Sequence, residues 1–143
     1  MKDHVKLRFP FTNSRGEGET EAMWTLRRDE GYEIDNIPFY ATGVALGDIV
    51  GAEPDIDGVL WYSKLVRPSG HSTIQIFFSS ENDVDIVREE LKRMGCDSEV
   101  SDIRRLVAVD VPPSVPYARV KEFLDRGAEA GTFEYQEACL GFL

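Results

Sequence analysis

Cysteine and histidine are scarce, with two of each in 143 residues. Cys96 and Cys139 lie far apart without a C-x-x-C spacing, and two thiols cannot close a structural zinc site by themselves. With only His4 and His71 beside them, no metal centre is expected. Free thiols in a reducing compartment are a simpler reading than a disulfide. No stretch approaches the ~18 apolar residues of a membrane span, and MKDHVKLRFPF at the N-terminus has no apolar run of signal-peptide length. The expected location is therefore the cytoplasm. Positive charge is also short: 16 Lys and Arg stand against 26 Asp and Glu, for a formal net charge of -10. The excess is spread over both halves and repels phosphate backbones and anionic lipid, so neither a nucleic-acid nor a membrane partner is expected. A basic partner would be attracted. No G-x-S-x-G elbow is present. Gly16-Glu17-Gly18 lacks the rest of a nucleotide fingerprint, and Asp55-Ile56-Asp57-Gly58 lacks the remaining ligands of a calcium loop. No cofactor is expected.

What is there is enough apolar residue (42%) to build a core. In the first half, Val5 to Phe11 alternates apolar and charged residues, as a half-buried strand does. Ala22 to Arg28 alternates again, with Ala22, Trp24 and Leu26 on one face, and turns at Asp29-Glu30-Gly31 into Tyr32 to Ile34. Ile49-Val50 is a short buried run. After the turn at Pro54 to Gly58, Val59 to Val66 forms another strand. In the second half, Thr73 to Phe78 is a strand, and Ser80 or Asn82 caps a helix whose Val84, Val87, Leu91 and Met94 share a face. Gly95 closes that helix. Glu99 to Ile103 and Arg104 to Val111 follow as paired strands. Ser114 caps a second helix, with Pro116 in its first turn; Gly127 or Gly131 ends it, and Thr132 to Leu140 is the last strand.

The expected fold is α+β: a small, curved antiparallel sheet or barrel over residues 1–70, followed by a ferredoxin-like β-α-β-β-α-β unit over 71–143. The linkage between them is short, so the two halves are expected to pack as one unit.

Three segments, DNIPFYATGVALGDIV (Asp35 to Val50), SGHST (Ser69 to Thr73) and VDVPP (Val109 to Pro113), resemble those of a family of short bacterial proteins sharing a domain of unknown function. The likeness runs from about Trp24 to Pro113. It implies a bacterial origin and supports the fold boundaries, and it carries no chemistry with it.

Two sets of residues are functional candidates. Around the junction of the halves, Asn36, Asp48, Ser69 and His71 could line a small-molecule or catalytic site. His71 would serve as general base and Asp48 as its acid partner. The competing reading makes Ser69-Gly70 a turn, with His71 bonded across the junction and the Asx side chains fastening the loop. On the first helix, Asp83, Asp85, Glu89 and Glu90 form either a solvated face or a docking surface. The expected function is that of a non-catalytic acidic binding protein for a basic protein partner. Its most concrete form is an immunity- or antitoxin-like protein that occludes a toxin's active site. The alternative is a small enzyme or small-molecule-binding domain with its site near His71.

Overall fold

The computed structural model describes residues 4–143. Strands β1 (His4–Thr12), β2 (Gly18–Arg28), β3 (Gly31–Ile34), β4 (Ile49–Pro54) and β5 (Leu60–Arg67) run as a meander that closes into a barrel. Closure comes from a parallel contact of β1 with β5 at Arg8 and Trp61. A second, four-stranded sheet contains β6 (Ser72–Phe78), β7 (Asp97–Val100), β8 (Leu106–Val111) and β9 (Phe133–Cys139), in the order β7-β8-β6-β9. All its neighbours are antiparallel. Two helices, α1 (Val84–Arg93) and α2 (Tyr117–Glu129), connect its strands, so the fold class is α+β. No helix among the described residues is long and apolar enough to cross a membrane.

Register decides which face of each strand is inward. Leu7 pairs with Met23, and residues opposite one another in antiparallel strands project to the same side. The buried Leu7 and Phe9 therefore place Met23 and Thr25 inside the barrel. The face of Ala22 and Trp24 looks outward. Trp24 is 45% exposed, and its ring lies under the Lys6 ammonium at 4.8 Å. Alternation in the sequence marks two faces; only pairing tells them apart.

In the second sheet, Ile74, Ile76 and Phe78 of β6 and Val107, Val109 and Val111 of β8 pack beneath the helices with Val87, Leu91, Val120 and Leu124. The intervening residues Thr73, Gln75, Ala108 and Asp110 face the other way and are buried too. Something must cover them, and the covering is polar.

Local chemistry sets the element ends. A 3-10 turn (Glu81–Asp83) precedes α1, and Ser80 caps it by accepting from the Asn82 N–H. Gly95, at φ +98, follows α1 in the left-handed conformation that glycine tolerates best. Pro116 occupies the N-cap of α2 without a side-chain cap, so Ser114 does not take that role. The helix continues through Gly127. The hairpin before β8 is displaced from the expected range, with β7 at Asp97–Val100 and a turn through 102–105.

Candidate functional site

The segment 35–48 is the joint of the molecule. It has no strand or helix of its own, so its backbone groups need other partners. Ala41 and Val44 insert into the barrel core beside Leu7, Phe9 and Val50. Its outward carbonyls meet the second sheet. Gln75 Nε2 donates to Pro38 O at 3.3 Å and Ala41 O at 3.2 Å. Thr73 Oγ1 donates to Val44 O at 3.1 Å, and the Gly43 N–H donates to Ala138 O at 2.8 Å. This is why β6 can carry Thr73 and Gln75 on a buried face: both side chains are hydrogen-bonded to the covering loop.

Two carboxylates hold the ends of this loop. Glu21 accepts from the N–H groups of Phe39 at 2.8 Å, Tyr40 at 3.0 Å and Ala41 at 2.8 Å. Asp48, buried, accepts from the Ala45 N–H through Oδ2 at 3.0 Å and from the Ser69 N–H through Oδ1 at 2.8 Å. The Ser69 hydroxyl reaches Leu46 O at 2.7 Å and Asp48 Oδ1 at 3.0 Å, two acceptors for its one proton. Its oxygen accepts from the His71 N–H at 3.1 Å.

The structure thus brings Asp48, Ser69 and the His71 backbone together, while the His71 imidazole goes elsewhere. Nδ1 lies 2.8 Å from Oδ1 of Asp110, a residue 3% exposed in the otherwise apolar β8. Burial holds the Asp110 carboxyl above the ordinary carboxylate range, and the hydrogen bond and charge of His71 pull it partway back. The acid partner of His71 is Asp110 rather than Asp48. Asn36 stands apart from both, accepting from the Trp24 N–H at 2.6 Å through Oδ1.

The acidic set on α1 is only partly free. Asp83, at the N-cap, is half-buried; Asp85, Glu89 and Glu90 are exposed. Carboxylates in a first helical turn also favour the helix dipole, which gives Asp85 a structural benefit. Glu90 is paired with Arg93. Asp85 and Glu89 have no ion-pair partner among the described residues. Ile86 is 65% exposed between them. Arg88 donates to Ser98 Oγ and O, tying α1 to β7.

Beside this face lies a cleft of about 390 Å³ bordered by Asp85, Glu89, Lys92, Asp97 and Ser98. The last three also border a second cleft of about 660 Å³ between β7 and the barrel, where Asp35, Asn36 and Glu99 stand. Of the junction candidates Asn36 borders this second cleft, whereas Asp48, Ser69 and His71 do not line it. Two cations stand within this strip, Lys92, 3.5 Å from Asp97, and Arg88, which is turned to Ser98.

Chemistry elsewhere is sparse. The thiols are unpaired with each other, and burial pushes Cys96 up to about 11 and Cys139 in the same direction. Among the described residues no three His, Cys, Asp or Glu side chains gather as metal ligands do. Sequence reasoning missed Glu21, Gln75 and Asp110. Gln75 and Asp110 did leave a signal, each being a polar residue inside an apolar strand, STIQIFF and LVAVDV. Glu21 left none.

The fold and site define an α+β protein with a closed barrel and an open sheet locked together by a hydrogen-bonded loop. Residues 21–135 match the domain of unknown function DUF4265, and the chain belongs to that family. It is also similar to the crystal structure of a hypothetical protein from Neisseria gonorrhoeae. The TM-score is 0.87 at 27% identity, over 100% of this chain and 98% of that one. No curated protein matches.

Proposed function

We propose that the protein is a non-catalytic acidic binding domain whose partner is a basic protein, in the manner of an immunity or antitoxin protein covering a toxin's active cleft. The observation that carries this reading is the continuity of the acidic strip. Asp85 and Glu89 on α1 lead through Asp97 to Glu99 and Asp35 in the junction cleft. Oppositely charged partners associate faster along such a strip, and salt slows them. The exposed Ile86 supplies an apolar anchor within it. In keeping with this reading, the protein would act in the cytoplasm, where free thiols persist.

The test is affinity capture from the host, followed by association kinetics of the captured protein with wild type and with a D85N/E89Q/D97N/E99Q variant. The expected result is a basic partner whose association slows in the variant and at higher salt. Unchanged kinetics would remove the strip from consideration.

A second reading, a small-molecule site near His71, draws on the Asp110 pair. A buried carboxylate on Nδ1 leaves Nε2 as the position that can exchange a proton. If no member of a metabolite set shifts the His71 ring resonances, that reading fails.

The order β9-β6-β8-β7, with both crossovers helical, also supports a ferredoxin-like description of the second half. Thr73 and Gln75 satisfied by loop 35–48 support one folding unit over two. Cross-strand amide NOEs test the first point; a single unfolding transition seen by barrel and helix probes tests the second.

A further inference from the structure

A separate cleft of about 690 Å³ shares no residue with the acidic strip. It lies where β6 begins and β8 and β9 end, below the first turn of α2. Its existence follows from the sequence there. Pro112, Pro113 and Pro116 offer no N–H, so the connection after β8 cannot add to the sheet and leaves a space. The opposite wall is the chain after β9. A Cβ on Gly141 would fall 2.3 Å from His71 O and 2.5 Å from the Gly70 carbonyl carbon, so the chain crosses closely at this point because no side chain intervenes.

The walls are mostly apolar: Val111, Pro113, Val115, Leu140 and Phe142, with the Tyr117 ring 5.2 Å from that of Phe142. Of the polar side chains in the lining, Ser72 accepts from the Gly141 N–H at 2.9 Å, and the other three are joined to one another. Tyr117 donates its hydroxyl to Glu137 Oε2, and Lys121 Nζ lies 3.6 Å from the same oxygen. Lys121 is otherwise held by the Tyr135 hydroxyl at 2.8 Å and by Asp125 at 3.8 Å. Glu137 Oε1 has no hydrogen bond among the described residues, while its carboxylate lines the cleft.

We propose that this cleft binds a small organic amine with an aromatic or other apolar body, its ammonium group hydrogen-bonded to the free oxygen of Glu137 and its body between Tyr117, Phe142 and Val115. The volume lies in the ordinary range for small-ligand sites. Charge selects the class. An anion at Lys121 would face two carboxylates, Glu137 and Asp125. An ammonium at Glu137 instead meets the single like charge of Lys121 against those two carboxylates, and its body lies against the Tyr117 and Phe142 rings. The protein's net charge of -10 points the same way.

The test titrates the intact protein with tryptamine and 2-phenylethylamine, and with the shape-matched anions indole-3-propionate and 3-phenylpropionate, by calorimetry and amide NMR. Both amines should bind saturably, more tightly than the anions, and shift the Tyr117 and Gly141 amides. E137Q should weaken them about tenfold, the worth of one charge-assisted hydrogen bond. A118W should block binding while far-UV circular dichroism stays unchanged, since Ala118 is an exposed lining residue. No saturation by either amine, equal binding of the anions, an unchanged E137Q affinity, or shifts confined to the acidic strip would each overturn the proposal.

Discussion

Gly127 sits inside α2, where replacing glycine with alanine ordinarily stabilises a helix by about 1 kcal/mol. Here the opposite is expected. A Cβ at Gly127 would lie 2.2 Å from Cζ and 2.4 Å from Cε2 of Phe133. Carbon atoms in contact want about 3.5 Å or more, so the ring would have to withdraw by more than about 1 Å. It has nowhere to go. Phe133 is 2% exposed and stands edge-on to the fully buried Phe78 at 5.4 Å. Overpacking of this kind costs about 1–3 kcal/mol, and the enclosed ring argues for the upper half of that range. After the helix gain is subtracted, G127A should be less stable by about 1–2 kcal/mol. That lowers Tm by roughly 2–8 °C for a chain of this size. Urea unfolding followed by far-UV circular dichroism measures it. The companion experiment places G127A in an F133L background, where the smaller side chain should leave the alanine neutral or favourable. A G127A protein more stable than wild type, or an equal cost in both backgrounds, would refute the reasoning.

Three further outcomes follow from the joint and its surroundings. E21Q replaces a carboxylate serving three backbone N–H groups with an amide that turns donors toward donors. It should cost about 2–4 kcal/mol in urea unfolding, and a change within about 0.5 kcal/mol would show that the loop does not depend on it. For Asp110, whose folded pKa is raised chiefly by burial, the native state holds its proton more tightly than the unfolded chain does. The corresponding stability is present at acid pH and is lost as pH rises from about 4 through the folded value. The stability of wild type relative to D110N should therefore fall across that window; a relative gain with rising pH would contradict the sign. Cys96, held at about 11, is thiolate to roughly one part in a thousand at pH 8. In a C139S background, which removes the half-buried second thiol, it should react with a disulfide reagent only after unfolding, and prompt labelling of that native variant would count against its burial.

Residue order alone determined the kind of elements and most of their positions. Alternation at Val5 to Phe11, the three- and four-residue spacings of Val84, Val87, Leu91 and Met94, and the stops at Gly95 and Pro112-Pro113 are local properties of the chain. They were legible because φ/ψ preference and side-chain period act over a few residues. The absence of a membrane-length apolar run, the shortage of thiols and the acidic balance are equally matters of composition.

Tertiary structure decided the rest. Strand pairing turned Met23 and Thr25 inward and left Trp24 outside, a choice that depends on which residue of β1 each one faces. The partner of His71 lies 39 residues away at Asp110, and the loop Asp35 to Asp48 finds Glu21 on one side and Gln75 on the other. None of these distances is encoded locally. A buried polar group must be satisfied by whatever the fold brings to it, and that requirement is met only when the barrel and the sheet come together.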